Sequence, residues 1–280
     1  MRPGMLADPR WGELPQVGLS NGCFETMRAY GGRIFRLEDH LERLEASATF
    51  LGTTLSTSRR ELAGRLTQTL DRSGVRDAVV RIALVPTPGG AARPHIVVQP
   101  VQRIPTSAYR RGIRVAIVPA RKFSVGSIDP QAKYSARLGS VLAVMDAQLR
   151  GVDEALFMDQ MGSVTESTAS NFGVVSRGVI LTPPCWLGLL AGITRDVLFE
   201  LAGGLRLAIR EAPLTRHEIY NAREAFLTST LKEVLPVTVI DGRAIGTGRP
   251  GPVTKRLRRA FQQLVRRELR MTHTPGRLRL

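Results

Sequence analysis

The sequence predicts an α+β protein of two domains, and three observations carry that expectation. At 280 residues the chain exceeds one minimal domain and suffices for two modest ones, each with its own core. Its first part mixes alternating, strand-like runs with two helical patterns. A polar, turn-forming stretch at 119–130 then gives way to a half in which strand signals dominate. The expected bounds are 1–120 for a small N-terminal domain, 121–129 for a linker and 130–280 for a larger C-terminal domain.

The run Cys23-Phe24-Glu25-Thr26-Met27-Arg28-Ala29-Tyr30, a Gly31-Gly32 turn and Arg33-Ile34-Phe35 predict a hairpin. Leu37, Leu41, Leu44, Ala48 and Leu51 recur at helical spacing. Ser58 with Glu61 three residues on is a capping-box signature for a second helix, which stops near Gly74. Strands are expected at 78–85, at 96–101 and over 113–117, where Ile113, Val115 and Ile117 alternate with Arg114 and Ala116. Leu138, Val141, Leu142, Met145 and Leu149 then predict a helix that Gly151 ends. Beyond it, strands at 154–158, at Val164, at 172–175 and at 179–181 are separated by turns at 160–162 and Arg177-Gly178, and read as consecutive hairpins. A helix at 194–201, strands at 205–209 and 225–228, an Asp241-Gly242 turn and a final helix complete the chain, and the residues from Thr272 onward read as a loose tail.

Composition narrows the function classes. A hydrophobic share of 43% and a charged share of 23% are those of an ordinary globular protein, and no apolar run is long enough to span a bilayer. The N-terminus lacks a secretory apolar region, so a cytoplasmic location is expected. Cys23 and Cys185 are far apart and match no metal-ligand spacing, so no metal site is expected. The net charge of +16 raises nucleic-acid binding as a class. Yet the densest patch, from Lys255 to Arg267, is interleaved with Leu257, Phe261, Leu264 and Val265 at helical spacing. That pattern reads as a docked helix with a solvated basic face, and no nucleic-acid partner is expected.

Three features point to chemistry. The chain has only four lysines, Lys122, Lys133, Lys232 and Lys255, and otherwise uses arginine for positive charge. Lys133 stands at the entry to an apolar helix, where it is either a leftover surface lysine or an amine that must lose its proton and attack a carbonyl, which arginine cannot do. The run 162–172 is rich in hydroxyls and contains one carboxylate, Glu166, which is either a solvated loop residue or a buried acid requiring partners. Gly192-Ile193-Thr194-Arg195 opens a helix and Thr228-Ser229-Thr230 ends a strand; each can present N–H and hydroxyl groups to a phosphate, and each is also common as ordinary capping.

In their order along the chain these motifs resemble the fold-type IV pyridoxal-phosphate enzymes, the class IV aminotransferase family, which includes branched-chain and D-amino-acid aminotransferases and aminodeoxychorismate lyase. The resemblance runs from Gly22 to Arg267 through Gly22-Cys23-Phe24-Glu25-Thr26, His40-Leu41-Glu42-Arg43-Leu44, Ala132-Lys133, 151–156, Thr165-Glu166-Ser167 with Ser170-Asn171, Gly192-Ile193-Thr194-Arg195, and Thr230 with Glu233 and Pro236-Val237. It implies a small N-terminal α/β domain and a larger, mixed, barrel-like C-terminal domain that binds the cofactor. It also implies pyridoxal 5'-phosphate carried as a Schiff base on Lys133, which later moves a proton. Glu166 would face the pyridine nitrogen, while Arg43 would grip the phosphate with its planar fork, joined by Ile193, Thr194 and Thr230. His40 would support Arg43. A homodimer is implied, with a small-molecule amino donor and a 2-oxo acid as substrates.

The substrate-facing positions depart from the family patterns. Branched-chain enzymes place Asn-Tyr at the fourth and fifth positions after the lysine, where this chain has Arg137-Leu138. That pair is similar to aminodeoxychorismate lyase, although Ala136 replaces the lyase's asparagine. Phe24 stands where D-amino-acid enzymes have tyrosine, and Arg93-Pro94-His95 resembles their Arg-x-His carboxylate trap. Phe24, Arg93, His95 and Leu138 are therefore the substrate-binding candidates. The resemblance implies transfer of an amino group between an amino acid or amine and a 2-oxo acid, with release of pyruvate and 4-aminobenzoate from 4-amino-4-deoxychorismate as the alternative.

Overall fold

The computed structural model describes residues 22–87, 91–121 and 129–269, so the expected tail from Thr272 and most of the expected linker lie outside the described residues. Two sheets organise the chain. The first comprises β1 (Cys23–Tyr30), β2 (Arg33–Ile34), β3 (Thr54–Leu55), β4 (Ala78–Pro86) and β5 (Ala91–Pro100), in the order β2-β1-β4-β5-β3. Gly31 and Gly32 have φ of 60° and 86°, the paired positive values a two-residue hairpin turn needs. The helices α1 (Leu37–Phe50) and α2 (Arg59–Ser73) bury Leu41, Leu44, Leu62, Leu66 and Leu70 against Met27, Val80 and Ile82 of the sheet. Ser58 and Glu61 make both halves of the capping box, and Gly74, at φ 67°, ends α2.

A short α3 (Thr106–Arg111) leads into the second sheet. Its members are β6 (Ile113–Arg121), β7 (Glu154–Met158), β8 (Val164–Ser167), β9 (Asn171–Ser176), β10 (Val179–Thr182), β11 (Ala208–Glu211), β12 (Glu224–Ser229), β13 (Glu233–Ile240) and β14 (Arg243–Ala244). Six of these strands close on themselves: β9-β12-β13-β6-β7-β8 returns to β9 through the pair Glu166↔Asn171. Closure leaves no free edge in the barrel. Its core includes Ile113, Val115, Leu156, Val164, Phe172, Leu227 and Leu235. β6 precedes the expected linker yet pairs with β13 and β7, so the chain changes sheets between β5 and β6.

Four helices accompany this sheet: α4 (Leu138–Leu149), α5 (Ile193–Gly204), α6 (Arg216–Tyr220) and α7 (Pro252–Glu268). α7 buries Leu257, Phe261, Leu264 and Val265 and exposes Lys255, Arg256, Arg259, Arg266 and Arg267, as its spacing predicts. The strand expected at 205–209 is a correction. α5 continues through Gly203-Gly204, Leu205 caps it, Arg206 turns at φ 53°, and β11 starts only at Ala208. α4 forms where expected but faces the other way. Ala143 and Ala147 pack on the barrel, while Leu138 is 71% exposed and Val141, Leu142, Met145 and Leu149 stand with it in the open. No helix among the described residues is long and apolar enough to cross a membrane.

Charged ties hold the two sheets around a shared cleft. Arg36, at the start of α1, reaches Glu200 of α5 at 2.6 Å and Glu268 of α7 at 2.8 Å. Arg28 and Tyr30 of β1 both donate to Glu233 of β13 at 3.3 Å.

Candidate active site

The cleft contains a cavity of about 270 Å³ lined from both sheets, and Lys133 lies in it. The backbone around this lysine is pinned to the first sheet. Phe24 N–H donates to the Lys133 carbonyl at 3.0 Å, Lys133 N–H donates to Ser47 Oγ at 3.0 Å, and Ser135 N–H donates to the Gly22 carbonyl at 2.9 Å. The segment thus docks beside the start of β1, and the Lys133 amine stands 5.1 Å from the centre of the Phe24 ring. Burial, reinforced by the nearby Arg43 and Arg137 and opposed by Glu25 and Glu166, lowers the amine from 10.5 to about 7.

Beneath it lies a buried ionic cluster. Glu25, fully enclosed in β1, accepts from Arg43 Nε at 2.6 Å, from Arg43 Nη2 at 2.9 Å and from His40 Nδ1 at 2.8 Å. Burial alone would raise this carboxyl, but Arg43 and His40 hold it well below the usual carboxylate range. Burial lowers His40 despite Glu25. Arg43 also donates through Nη1 to the Ala191 carbonyl at 2.6 Å, linking α1 to the loop before α5. The Arg43 fork thus places two N–H groups on Glu25 and one on Ala191, and Arg43 lines the cavity with those that remain.

On the barrel side, Glu166 lies within β8 rather than in a solvated loop. Its Oε2 accepts from Asn171 Nδ2 at 3.2 Å and from Leu190 N–H at 3.3 Å. Gly192 follows closely. A Cβ there would lie 1.9 Å from Asn171 Oδ1, so only glycine lets the loop pass. It begins α5 without a side-chain cap, and Gly192, Ile193 and Thr194 line the cavity together with Thr230. The backbone N–H groups of that first turn have no partner within their own helix. Ser167 and Ser170 also line the cavity, and their buried hydroxyls have no hydrogen-bond partner among the described residues.

The cavity thus gathers Phe24, Arg43, Lys133, Glu166, Ile193, Thr194 and Thr230. It does not gather the other substrate candidates within this chain. Arg93 and His95 sit on β5 opposite Val85 and Ala83, with both side chains exposed, and Leu138 points outward at the first turn of α4. Arg195 turns away to the Pro183 carbonyl and Glu211. In their place the walls carry Thr26, Arg81, Arg137, Glu154, Thr168 and Lys232. Arg81 could have been found, since a single charge inside the apolar run 78–85 of a buried strand requires a polar destination.

Known proteins bear on this arrangement. A model of the amino-transferase class IV family matches residues 22–240. The D-alanine aminotransferase of Bacillus licheniformis is 34% identical over 263 residues, covering 90% of each chain. The branched-chain-amino-acid aminotransferase of Pseudomonas aeruginosa is 33% identical over 258 residues, covering 87% of this chain and 84% of that one. Among solved structures, the branched-chain amino acid aminotransferase of Thermobaculum terrenum in its PLP-form superposes with a TM-score of 0.81 at 28% identity, covering 91% of this chain and 90% of that one. The five-stranded sheet and closed barrel define a fold-type IV enzyme. The chain belongs to the amino-transferase class IV family and is an aminotransferase. None of these named relatives supports the lyase alternative.

Proposed function

We propose that the cavity binds pyridoxal 5'-phosphate and that the protein moves an amino group between an amino acid or amine and a 2-oxo acid through it. The observation that carries the reading is the Lys133 amine, held at about 7 inside a cavity that the carboxylate Glu166, fixed by Asn171, also lines. At neutral pH about half of such an amine is unprotonated, roughly three orders of magnitude more than for an ordinary lysine. The fit extends to both ends of the cofactor. Glu166 would hold a proton on the ring nitrogen, and the phosphate would take the open N–H groups at Ile193 and Thr194, the Thr230 hydroxyl and the remaining donors of Arg43. When bound, the cofactor supplies an aldehyde for the amine and an electron-withdrawing ring for the substrate carbon. Lys133 then serves as the base that moves the substrate's proton, and Phe24 packs beside it.

The names of the relatives favour a branched-chain or a D-amino acid as donor. The open face of α4 supports a homodimer, because Leu138, Val141, Leu142, Met145 and Leu149 form a continuous apolar stripe that a second copy can bury. Cys23 and Cys185 are both free, in keeping with a reducing, cytoplasmic setting.

The purified protein should show a visible or near-ultraviolet absorbance band that borohydride bleaches, and amino donors should shift it. Lys133→Ala should abolish the reducible band. A band that survives in that variant and still bleaches would place the cofactor on another lysine.

A further inference from the structure

The hairpin turn that brings Thr230 to the cavity is held by side chains with no part in the chemistry above. β12 and β13 pair from Ser229↔Glu233 outward, which leaves Thr230, Leu231 and Lys232 as the loop between them. Ser229, Thr230, Leu231 and Lys232 all line the cavity. Where the chain re-enters the sheet, Glu233 has φ 54°, the left-handed region in which a residue with a side chain is strained. Glycine is the usual occupant of such a position, because it turns there without steric cost.

Two consecutive residues fasten this loop to the rest of the molecule. The Lys232 amine reaches Glu154 of β7 at 2.5 Å, and Glu154 also accepts from the Thr168 hydroxyl at 2.6 Å. The Lys232 main chain is held as well: its N–H donates to Ser229 Oγ at 3.2 Å, and its carbonyl accepts from the Tyr109 hydroxyl of α3 at 3.1 Å. Glu233, only 6% exposed, gathers donors from two further elements. Arg28 and Tyr30 of β1 each reach it at 3.3 Å and Gln262 of α7 at 3.0 Å, with Arg258 of α7 at 3.9 Å. Arg258 also stacks over the Tyr109 ring, 3.8 Å from its centre, so the ties on Lys232 and on Glu233 meet. A carboxylate gripped by this many donors over-determines the backbone that carries it, the condition under which a strained φ persists.

We infer that Glu233 is a positioning residue for the cofactor phosphate: its carboxylate, gripped by β1 and α7, holds the left-handed bend that sets where Thr230 meets the phosphate. Lys232 secures the same loop from β7. This rests on the pyridoxal-phosphate reading of the cavity. The sign of the effect separates position from field. Taking a negative charge away from the neighbourhood of an anion strengthens anion binding through the field, whereas releasing the bend weakens it.

The whole chain, freed of cofactor, is titrated by calorimetry with pyridoxal 5'-phosphate and with pyridoxal, which offers the same aldehyde without the phosphate. Glu233→Gln should lower the preference for the phosphorylated ligand about tenfold and leave pyridoxal binding within about twofold of wild type. Thr230→Val should cost a similar factor. Glu233→Gln added to Thr230→Val should cost less than about twofold more, since both act on one contact. Tyr30→Phe removes a single donor and should lower the preference about two- to threefold, and it decides the matter by the same sign should Glu233→Gln not fold. Three results overturn the role of Glu233: a preference that is unchanged or rises, an equal loss on both ligands, or a second tenfold loss in the Thr230→Val background. Wild-type protein that binds the two ligands alike refutes the cofactor reading as well, while every other overturning result leaves that reading standing.

Discussion

Replacing Lys133 by methionine, an apolar side chain of similar length, should stabilise the cofactor-free protein, and should do so most strongly at low pH. The amine falls from 10.5 in the unfolded chain to about 7 in the fold. Below pH 7 both states carry the charge, and the folded state bears the whole cost of holding it out of water. As pH rises from 7 to 10.5 the folded lysine has lost its proton while the unfolded chain still binds one, so wild-type stability climbs through that window. The full difference corresponds to about 5 kcal/mol, and water entering by the cavity mouth reduces it to about 3 kcal/mol. Lys133→Met lacks this cost at every pH. Thermal denaturation of the two apo-proteins should show the variant ahead by about 5 °C or more at pH 6, with the gap shrinking steadily toward pH 9.5. Groups away from the cavity titrate alike in both proteins and cancel in the difference. A gap that is constant with pH, or that widens on the alkaline side, would refute the claim that the cavity holds this amine near neutrality.

Further outcomes follow from the same contacts. Gly192→Ala places a Cβ 1.9 Å from Asn171 Oδ1 and must displace either Asn171 or the start of α5; cofactor affinity should fall at least tenfold, with about 1–3 kcal/mol of destabilisation read by urea titration. Leu142→Glu with Met145→Glu on the open face of α4 should convert a dimer into a monomer by sedimentation while changing the fold's circular dichroism little, since both side chains are about half exposed within the chain. Glu25→Gln leaves Arg43 and His40 around a neutral partner in a sealed site. It should cost about 3–5 kcal/mol of stability and loosen the cofactor, as measured by chemical denaturation and by absorbance at limiting cofactor.

Periodicity made the helices of the first sheet readable, because each buries a stripe against a sheet whose strands alternate in the same stretch of chain. The capping box at Ser58 and the hairpin at Gly31-Gly32 were legible for a local reason: both are decided within four residues. Glu166 was ambiguous because hydroxyls and a carboxylate in sequence look like a loop until Asn171 and Leu190 are seen to satisfy the acid. The Lys232–Glu154 pair was out of reach, since its partners stand 78 residues apart and no local pattern joins them. The apolar stripe of α4 was visible, but a stripe states only that something must cover it. The barrel's alanine contacts turned out to occupy the other side.

What unites the site is how its charges are divided. Glu25 is paired with Arg43 and His40, and Glu154 with Lys232, while Glu25 and Glu166 favour the charged Lys133 amine without outweighing its burial. The walls carry Arg43, Arg81 and Arg137 beside the carboxylate Glu166, and the first turn of α5 adds its open N–H groups. Burial lowers the lysine first and the arginines add to it, and the same arginines favour an anionic guest. In the proposed function, a cofactor phosphate is a group that such walls would hold. The rarity of lysine in this chain then has a physical meaning at two of its four positions: Lys133 is the amine that must lose its proton in the proposed reaction, whereas Lys232 supplies a compact charge to Glu154 in a nearly closed pair.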